Sequence, residues 1–223
     1  MADSSGGTVD LVVFDCDGVL VDSEPIAVPI LGAALRTLGL VMTDAEVHRT
    51  FVGFTSGRCI EIAEERLGRA LPADFAERVQ VRTFKAFCAG LRAMPGIVET
   101  LDRLPVPYCV ASSGDPGKMR LTLGLTGLLD RFRDRMFSAS EVARGKPSPD
   151  LFLHAAERSG ARPDRTVVVE DSLPGVIAAA AAGMRVQGYC PTGEGAELVA
   201  AGAILFRDLR ELPERLVEVQ EGS

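Results

Sequence analysis

The feature that most constrains this chain is a short apolar, β-branched run that ends abruptly in acid: Val9 to Phe14, unbroken from Leu11 once past Asp10, and stopped by Asp15. A half-exposed strand alternates in polarity, whereas an unbroken apolar run has both faces buried, as in the interior of a parallel sheet. The same signature recurs at Tyr108 to Ala111, stopped by Ser112, and at Val167 to Val169, stopped by Glu170 and Asp171. Shorter candidate strands are Arg135 to Phe137, Met184 to Gly188 and Ala203 to Phe206. Helix starts lie between them. Asp115-Pro116 and Ser148-Pro149 each offer a capping side chain followed by proline at the first helical position, where its missing N–H costs nothing. The alanines Ala178 to Ala182 read as a packed helix ended by Gly183. Strand and helix alternating from Val106 onward predict an α/β fold on a doubly wound parallel sheet.

The interval from Ser23 to Leu91 breaks that rhythm. It reads as four helices: Glu24 to Leu38, a capping-box helix from Thr43 with Glu46, Ser56 to Leu67, and Pro72 to Ala89. An all-helical insert of about 70 residues is too long for a crossover connection. Residues 23–92 are therefore expected to form a small helical cap domain, and residues 1–22 with 93–223 the α/β core domain. The hinges are expected near Val21 to Glu24 and Ala93 to Gly96, and Phe51, Phe54, Phe84 and Phe87 are expected to fill the cap's own core. Residues 25–92 carry a net charge of +2 and the remainder −9, a mildly basic lid over an acidic core.

Composition narrows the partners. With 47% hydrophobic and 25% charged residues in 223, the chain belongs among globular proteins. Its 31 acids against 24 bases, net −7, remove the electrostatic drive toward nucleic acid or an anionic membrane and leave a small molecule as the expected partner. The polar start has no leader pattern, and no stretch approaches the ~18 apolar residues of a spanning helix. Five widely spaced cysteines without a C-x-x-C pair indicate neither a disulfide framework nor a zinc site. The expected location is the reducing cytoplasm. Nothing in the sequence sets an oligomeric state, and a monomer suffices.

Carboxyl ends of parallel strands share one edge of a sheet, the edge where open α/β proteins bind ligands. Asp15 and Asp17, Ser112 with Ser113 and Gly114, and Glu170 with Asp171 should therefore converge, joined by Lys146 from the helix-opening turn Gly145-Lys146-Pro147-Ser148-Pro149-Asp150. Asp15, Glu170 and Asp171 supply hard oxygen ligands, too few for a calcium cage but suited to a Mg2+ that keeps waters and takes a phosphate oxygen. Such a metal lets a carboxylate approach phosphorus, so Asp15 can form an aspartyl-phosphate. Asp17 is placed to act as acid and then as base, with its carbonyl toward the metal. Ser112 and the amides of Ser113 and Gly114 can hold the transferring oxygens, with Lys146 offsetting their charge. Arg49, Arg58 and Lys85 are the cap's candidates for an anionic substrate tail, while His48 and His154, on helices without a partner pattern, read as ordinary surface or packing residues. Strand alternation turns Cys16 inward, away from the flanking aspartates.

Phe14-Asp15-Cys16-Asp17-Gly18-Val19-Leu20-Val21-Asp22-Ser23-Glu24, Val110-Ala111-Ser112-Ser113, Gly145-Lys146-Pro147-Ser148-Pro149-Asp150 and Val169-Glu170-Asp171-Ser172-x-x-Gly175 resemble the four motifs of the haloacid dehalogenase superfamily. Within it they are similar to the β-phosphoglucomutase-like phosphatases, and in look to bacterial sugar phosphatases of the 6-phosphogluconate type. The resemblance spans about residues 9 to 212. It implies a Rossmann-like core with a helical cap, and a Mg2+-dependent phosphatase of small phosphomonoesters. It also implies Asp15 as nucleophile, Asp17 as general acid/base, and Ser112 and Lys146 as phosphate ligands. Mg2+ is implied on Asp15, the Asp17 carbonyl and Asp171, with Glu170 direct or through water. The mutases place a histidine in the first cap helix, where this chain has Ala27, and an arginine soon after the glycine matching Gly53, where Ser56 stands. Sugar-phosphate mutase chemistry is the alternative, weakened by those departures. A receiver-like phosphoacceptor is a further alternative; its metal acids precede the phosphoacceptor strand, whereas Glu170-Asp171 comes late here.

Overall fold

The computed structural model describes residues 8–221; the polar stretch 1–7, on which the expectation of no leader rests, lies outside it. In chain order the elements begin with β1 (Leu11–Phe14), α1 (Glu24–Thr37), α2 (Asp44–Phe51), α3 (Ser56–Leu67), α4 (Phe75–Gly90), α5 (Ile97–Arg103) and β2 (Tyr108–Ser112). They continue with α6 (Pro116–Leu125), α7 (Leu129–Phe132), β3 (Met136–Ser138), α8 (Asp150–Arg158), β4 (Thr166–Glu170), α9 (Leu173–Ala181), β5 (Arg185–Tyr189), α10 (Ala196–Ala200), β6 (Ile204–Phe206) and α11 (Leu212–Glu221). The six strands form one sheet in the order β3-β2-β1-β4-β5-β6. Every pairing is parallel.

The apolar run of β1 is continuous because both its faces are covered. Val12 and Phe14 join one buried layer with Leu101, Met119, Leu123 and Leu216, from α5, α6 and α11. Leu11 and Val13 join the opposite layer with Leu151, Phe152, Val176 and Ala179, from α8 and α9. The sheet is thus doubly wound, and its central position fixes β1 from both sides.

The helical insert has a core of its own, built on Val28, Leu35, Val47, Phe51 and Ala63. Thr43 and Glu46 form the expected capping box at the start of α2, satisfying two end groups reciprocally. Three expectations shift. Of the four phenylalanines expected in the cap core only Phe51 lies there: Phe54 lines the cavity, and the last turns of α4 lean on the sheet, so Phe87 and Leu91 enter the layer that holds Phe14, with Phe84 packed beside them. Helix α4 begins at Phe75 rather than Pro72, after a turn in which the Phe75 amide donates to the Pro72 carbonyl. Similarly, Ser148 does not cap α8; the helix starts at Asp150, and the Ser148 hydroxyl donates to the Asp150 carboxylate at 2.6 Å.

The two connections between insert and sheet run side by side. Val21 pairs antiparallel with Ala93, the Asp22 amide donates to Arg92 and the Met94 amide to Leu20, both at 2.9 Å. Leu20 and Val21 are wholly buried, so this paired crossing is anchored in the main core. Replacing Leu20 by alanine is expected to cost about 2–5 kcal/mol, the range for a cavity in a well-packed core. Urea unfolding measures it, and a loss below about 1 kcal/mol would mean the crossing is not part of the core.

Candidate active site

The centre of the site is an ammonium with no exposure to solvent. Lys146, from the turn before α8, donates to Asp15 Oδ1, to Glu170 Oε1 at 2.6 Å and to the Ala111 carbonyl at 3.3 Å. Its Nζ also lies 4.9 Å from the centre of the Phe152 ring. Burial opposes its charge, but the carboxylates of Asp15 and Glu170 outweigh that and drive the lysine further into its protonated form. One cation therefore joins the ends of β1, β2 and β4.

Glu170 spends both oxygens on the scaffold. Oε1 accepts from Lys146, and Oε2 accepts from the amides of Asp171 and Ser172 and from the Ser172 hydroxyl, each at 2.9 Å. Ser172 in turn caps α9 by accepting from the Gly175 amide. Gly175 is required here, since a Cβ would fall 1.8 Å from Glu170 Oε1.

Asp15 reaches the cavity at the end of β1. Burial, opposed by Lys146 but reinforced by the charges of Glu170 and Asp17, raises its pKa to about 7. Asp17 follows in a tight turn, where Gly18 takes a φ of +81° and a Cβ would strike the Asp171 carboxylate. The Asp17 carboxylate accepts from Lys118 Nζ and from Ser23 Oγ, both at 2.7 Å. Burial works against its charge, yet the Lys118 ammonium and these two hydrogen bonds hold it below the usual carboxylate range. Lys118, on α6, is the residue that sequence reasoning missed. A signal existed, because only three lysines occur in the chain and one of them follows the second strand.

Ser112 is buried, accepts from the Gly114 amide at 3.0 Å and lines the cavity with Ser113 and Gly114. The Ser113 hydroxyl, however, donates across to the Gly53 carbonyl in the insert at 2.8 Å. The structure does not bring the other expected substrate residues in. Arg49, Arg58 and Lys85 are exposed and do not line the cavity, and Arg58 is paired with Glu61 and Glu65 on its own helix. Helical faces that carry them point to solvent, because the apolar faces are consumed by the cap core. His48 has a partner after all, Glu24 at 2.8 Å, and His154 meets Glu141 at 3.3 Å. Cys16 is turned into the core, next to Thr122.

Asp171 makes the case for a cation. Its Oδ1 is buried without a hydrogen-bond partner among the described residues. Burial, and then the charges of Glu24, Glu170 and Asp15, push its pKa far up. A carboxylate so placed either holds a proton or faces a metal. No three His, Cys, Asp or Glu side chains already converge as a closed ligand set among the described residues. Asp15 and Asp171 are nonetheless hard oxygen donors of the kind that Mg2+ takes while keeping waters.

Cavity and strand ends thus bring Asp15, Asp17, Ser112 and Asp171 to one wall of a 630 Å³ space under the helical insert. The haloacid dehalogenase-like hydrolase family model matches residues 9–183. The chain belongs to that family. It is 31% identical over 207 residues to the 6-phosphogluconate phosphatase of Escherichia coli (strain K12), covering 92% of this chain and 94% of that one. It is 30% identical over 217 residues to the phosphorylated carbohydrates phosphatase of Thermotoga maritima, covering 95% and 100%. A family hydrolase from Deinococcus radiodurans R1, solved with bound phosphate and sodium, superposes with a TM-score of 0.75 at 32% identity, over 95% of this chain and 96% of that one. This chain is accordingly an enzyme, a hydrolase with named phosphatase relatives.

The raised carboxyls give a pH test. Asp15 titrates near 7 in the fold against 3.8 when free, so its protonated form stabilises the native state and that stabilisation is lost as pH rises from about 4 through 7. A divalent cation bound at these carboxyls would replace the proton. Thermal melts with and without Mg2+ at a hundred times its Kd should show a rise equivalent to about 2.7 kcal/mol, several degrees, at pH 8. At pH 5 the rise should be less than half of that; an equal rise at both values would separate metal binding from these carboxyls.

Proposed function

We propose that this hydrolase is a Mg2+-dependent phosphatase of small phosphomonoesters, of the carbohydrate-phosphate class, working through a phosphoryl group on Asp15. The observation that carries the reading is the convergence at one cavity wall of Asp15, the hydrogen-bonded Asp17, Ser112 and the unpartnered Asp171. The named phosphatase relatives support the substrate class.

In the first step an Asp15 oxygen bonds to phosphorus as the bond to the alcohol oxygen breaks, and the leaving oxygen takes a proton from Asp17, which is ionised in the free enzyme and takes up that proton when the phosphate anion is bound beside it. In the second, water bonds to phosphorus, Asp17 takes the water proton, and Asp15 leaves as the free carboxylate with inorganic phosphate. Ser112 and the amides beyond it hold the equatorial oxygens, and Lys146 keeps Asp15 oriented. Lys118 and Ser23 fix the direction of Asp17. Asp15, Asp171 and the Asp17 carbonyl would hold Mg2+, with Glu170 acting through water because its own oxygens are engaged, and the metal would offset repulsion between nucleophile and phosphate.

Residues 23–92 act in this reading as a cap domain hinged at the paired crossing, closing to exclude bulk water from the phosphoenzyme. The free state of Cys16, Cys59, Cys88, Cys109 and Cys190 supports a cytoplasmic setting. No helix among the described residues is long and apolar enough to cross a membrane.

The Asp15→Asn variant keeps the shape and loses the nucleophile, so phosphate release should fall at least about 10²-fold with the fold intact. Residual activity above about one per cent would sink the assignment. Chelation should abolish turnover in the same assay. Phosphatase rather than mutase chemistry is favoured by Ala27, whose methyl group lines the cavity where the resembled mutases carry histidine. With β-glucose 1-phosphate and catalytic glucose 1,6-bisphosphate, free phosphate should form faster than glucose 6-phosphate; the reverse order would make this a mutase.

A further inference from the structure

We propose that the alcohol released by this enzyme is hydroxyl-rich and bears no second anionic group, read by hydrogen-bond acceptors that Glu77 and Gln80 of α4 and Asp115 before α6 bring to the cavity; the proposal rests on the phosphatase reading and narrows its substrate. At 630 Å³ the cavity exceeds what a phosphoryl group fills, so the remainder receives the leaving alcohol. Part of its wall is open to solvent. Ser56, Glu77, Gln80 and Asp115 all line it and are exposed, so an incoming molecule reaches them without displacing packed side chains.

The sequence of α4 sorts its charges. Glu77 and Gln80 stand one helical turn apart and share the face that borders the cavity. Arg78, Arg82 and Lys85 are exposed on the same helix and do not border it, and Arg78 is turned back to Asp74 at 3.7 Å. The same sorting holds for the whole insert: residues 25–92 include nine lysines and arginines, and none of them lines the cavity. Lys118 is the one lysine or arginine on the wall among the described residues, and its ammonium is committed to Asp17. An insert built to hold a substrate's carboxylate or second phosphate would turn bases inward. This one turns them out.

Across from α4, Asp115 uses Oδ1 to cap α6, accepting from the amides of Gly117 and Lys118 at 2.9 and 3.0 Å. Its Oδ2 meets the side-chain nitrogen of Gln80 at a long 3.5 Å, which leaves that carboxylate room for a better donor. Gln80, with its nitrogen turned to Asp115, retains its carbonyl oxygen as an acceptor, and the carboxylates of Glu77 and Asp115 accept and do not donate. Sugar and polyol hydroxyls supply the donors, and a hydrogen bond to an ionised oxygen is about twice as strong as a neutral one. A carboxylate on the substrate has no proton to give at neutral pH; placed here it would lose water and meet like charge with no cation to pair with. An alkyl chain would cover the acceptors without satisfying them. The wall thus keeps the chain within the carbohydrate-phosphate class and sets it apart from a phosphatase of aldonate phosphates.

A matched pair tests this, because D-glucitol 6-phosphate and 6-phosphogluconate share their carbon chain and configuration and differ only in a terminal hydroxymethyl against a carboxylate. The value of kcat/KM is expected to favour glucitol 6-phosphate over 6-phosphogluconate by at least about tenfold. It should favour glucitol 6-phosphate by as much over hexyl phosphate, which has the same chain length without the hydroxyls. The substitutions Glu77→Gln and Asp115→Asn, the second of which still caps α6, should together bring the first ratio below about three. Glu77→Lys supplies the missing cation and should raise kcat/KM for 6-phosphogluconate at least about fivefold without raising that for glucitol 6-phosphate. A variant damaged in its fold lowers both esters alike, so the ratio reports recognition. Equal or higher kcat/KM for 6-phosphogluconate or hexyl phosphate, no turnover of glucitol 6-phosphate where other esters are hydrolysed, or a ratio unmoved in these variants would each overturn the proposal while leaving the phosphatase reading in place. Failure to release phosphate from any ester, sugar phosphates included, would overturn that reading and this proposal with it.

Discussion

The rest of the site depends on the buried ammonium of Lys146. A charge removed entirely from water is tolerable only when it is paired and hydrogen-bonded, since desolvation alone costs several kcal/mol. Asp15, Glu170 and the Ala111 carbonyl satisfy it, and each comes from a different strand of the same sheet edge. Because Glu170 is held on one oxygen by the lysine, its other oxygen is free to gather the amides that open α9. The order of β2, β1 and β4 in the sheet is therefore tied to the direction of the Asp15 side chain. A compact ammonium fits between two carboxylates and a carbonyl where the wide, planar guanidinium of arginine would not.

The same edge carries more negative charge than its two lysines balance. Asp15, Asp17, Glu24, Glu170 and Asp171 influence one another there, and the Asp171 carboxylate keeps one oxygen without a partner among the described residues. This imbalance would suit a divalent cation, with a proton as its competitor. The insert seals the arrangement from above. Gly53 accepts from Ser113 and adopts a φ of +85° with its Cα against Ser172, where a Cβ would come within 2.5 Å of the hydroxyl. A glycine at that point lets the loop after α2 sit directly on the strand ends.

Much of this was legible along the chain. The runs ending at Asp15, Ser112 and Glu170-Asp171 became neighbouring strands because apolar residues buried on both faces leave a parallel sheet as their solution. Helix α3 spans Ser56 to Leu67, as its periodicity and flanks indicate, and Asp115 caps α6 by accepting from the amides of Gly117 and Lys118. Other features escaped. Ser148 and Asp115 precede proline in the same way, yet only Asp115 caps its helix; the geometry of the turn around Lys146, set by the ammonium it must bury, decides the difference. Phe84 and Phe87 share a helix with residues that face the insert, and nothing local reveals that the helix's end crosses onto the sheet.

The sequence by itself determined the parallel sheet, the helical insert and the order in which acids, hydroxyl and lysine reach one edge. These follow from periodicity and from which residues terminate each run, both local properties. Only the tertiary structure decided that Lys118 reaches Asp17 while Arg49, Arg58 and Lys85 face solvent. Those outcomes depend on how helices rotate and cross when packed against the sheet. A helical period places a residue on a face, but the packing of the whole chain determines what that face meets.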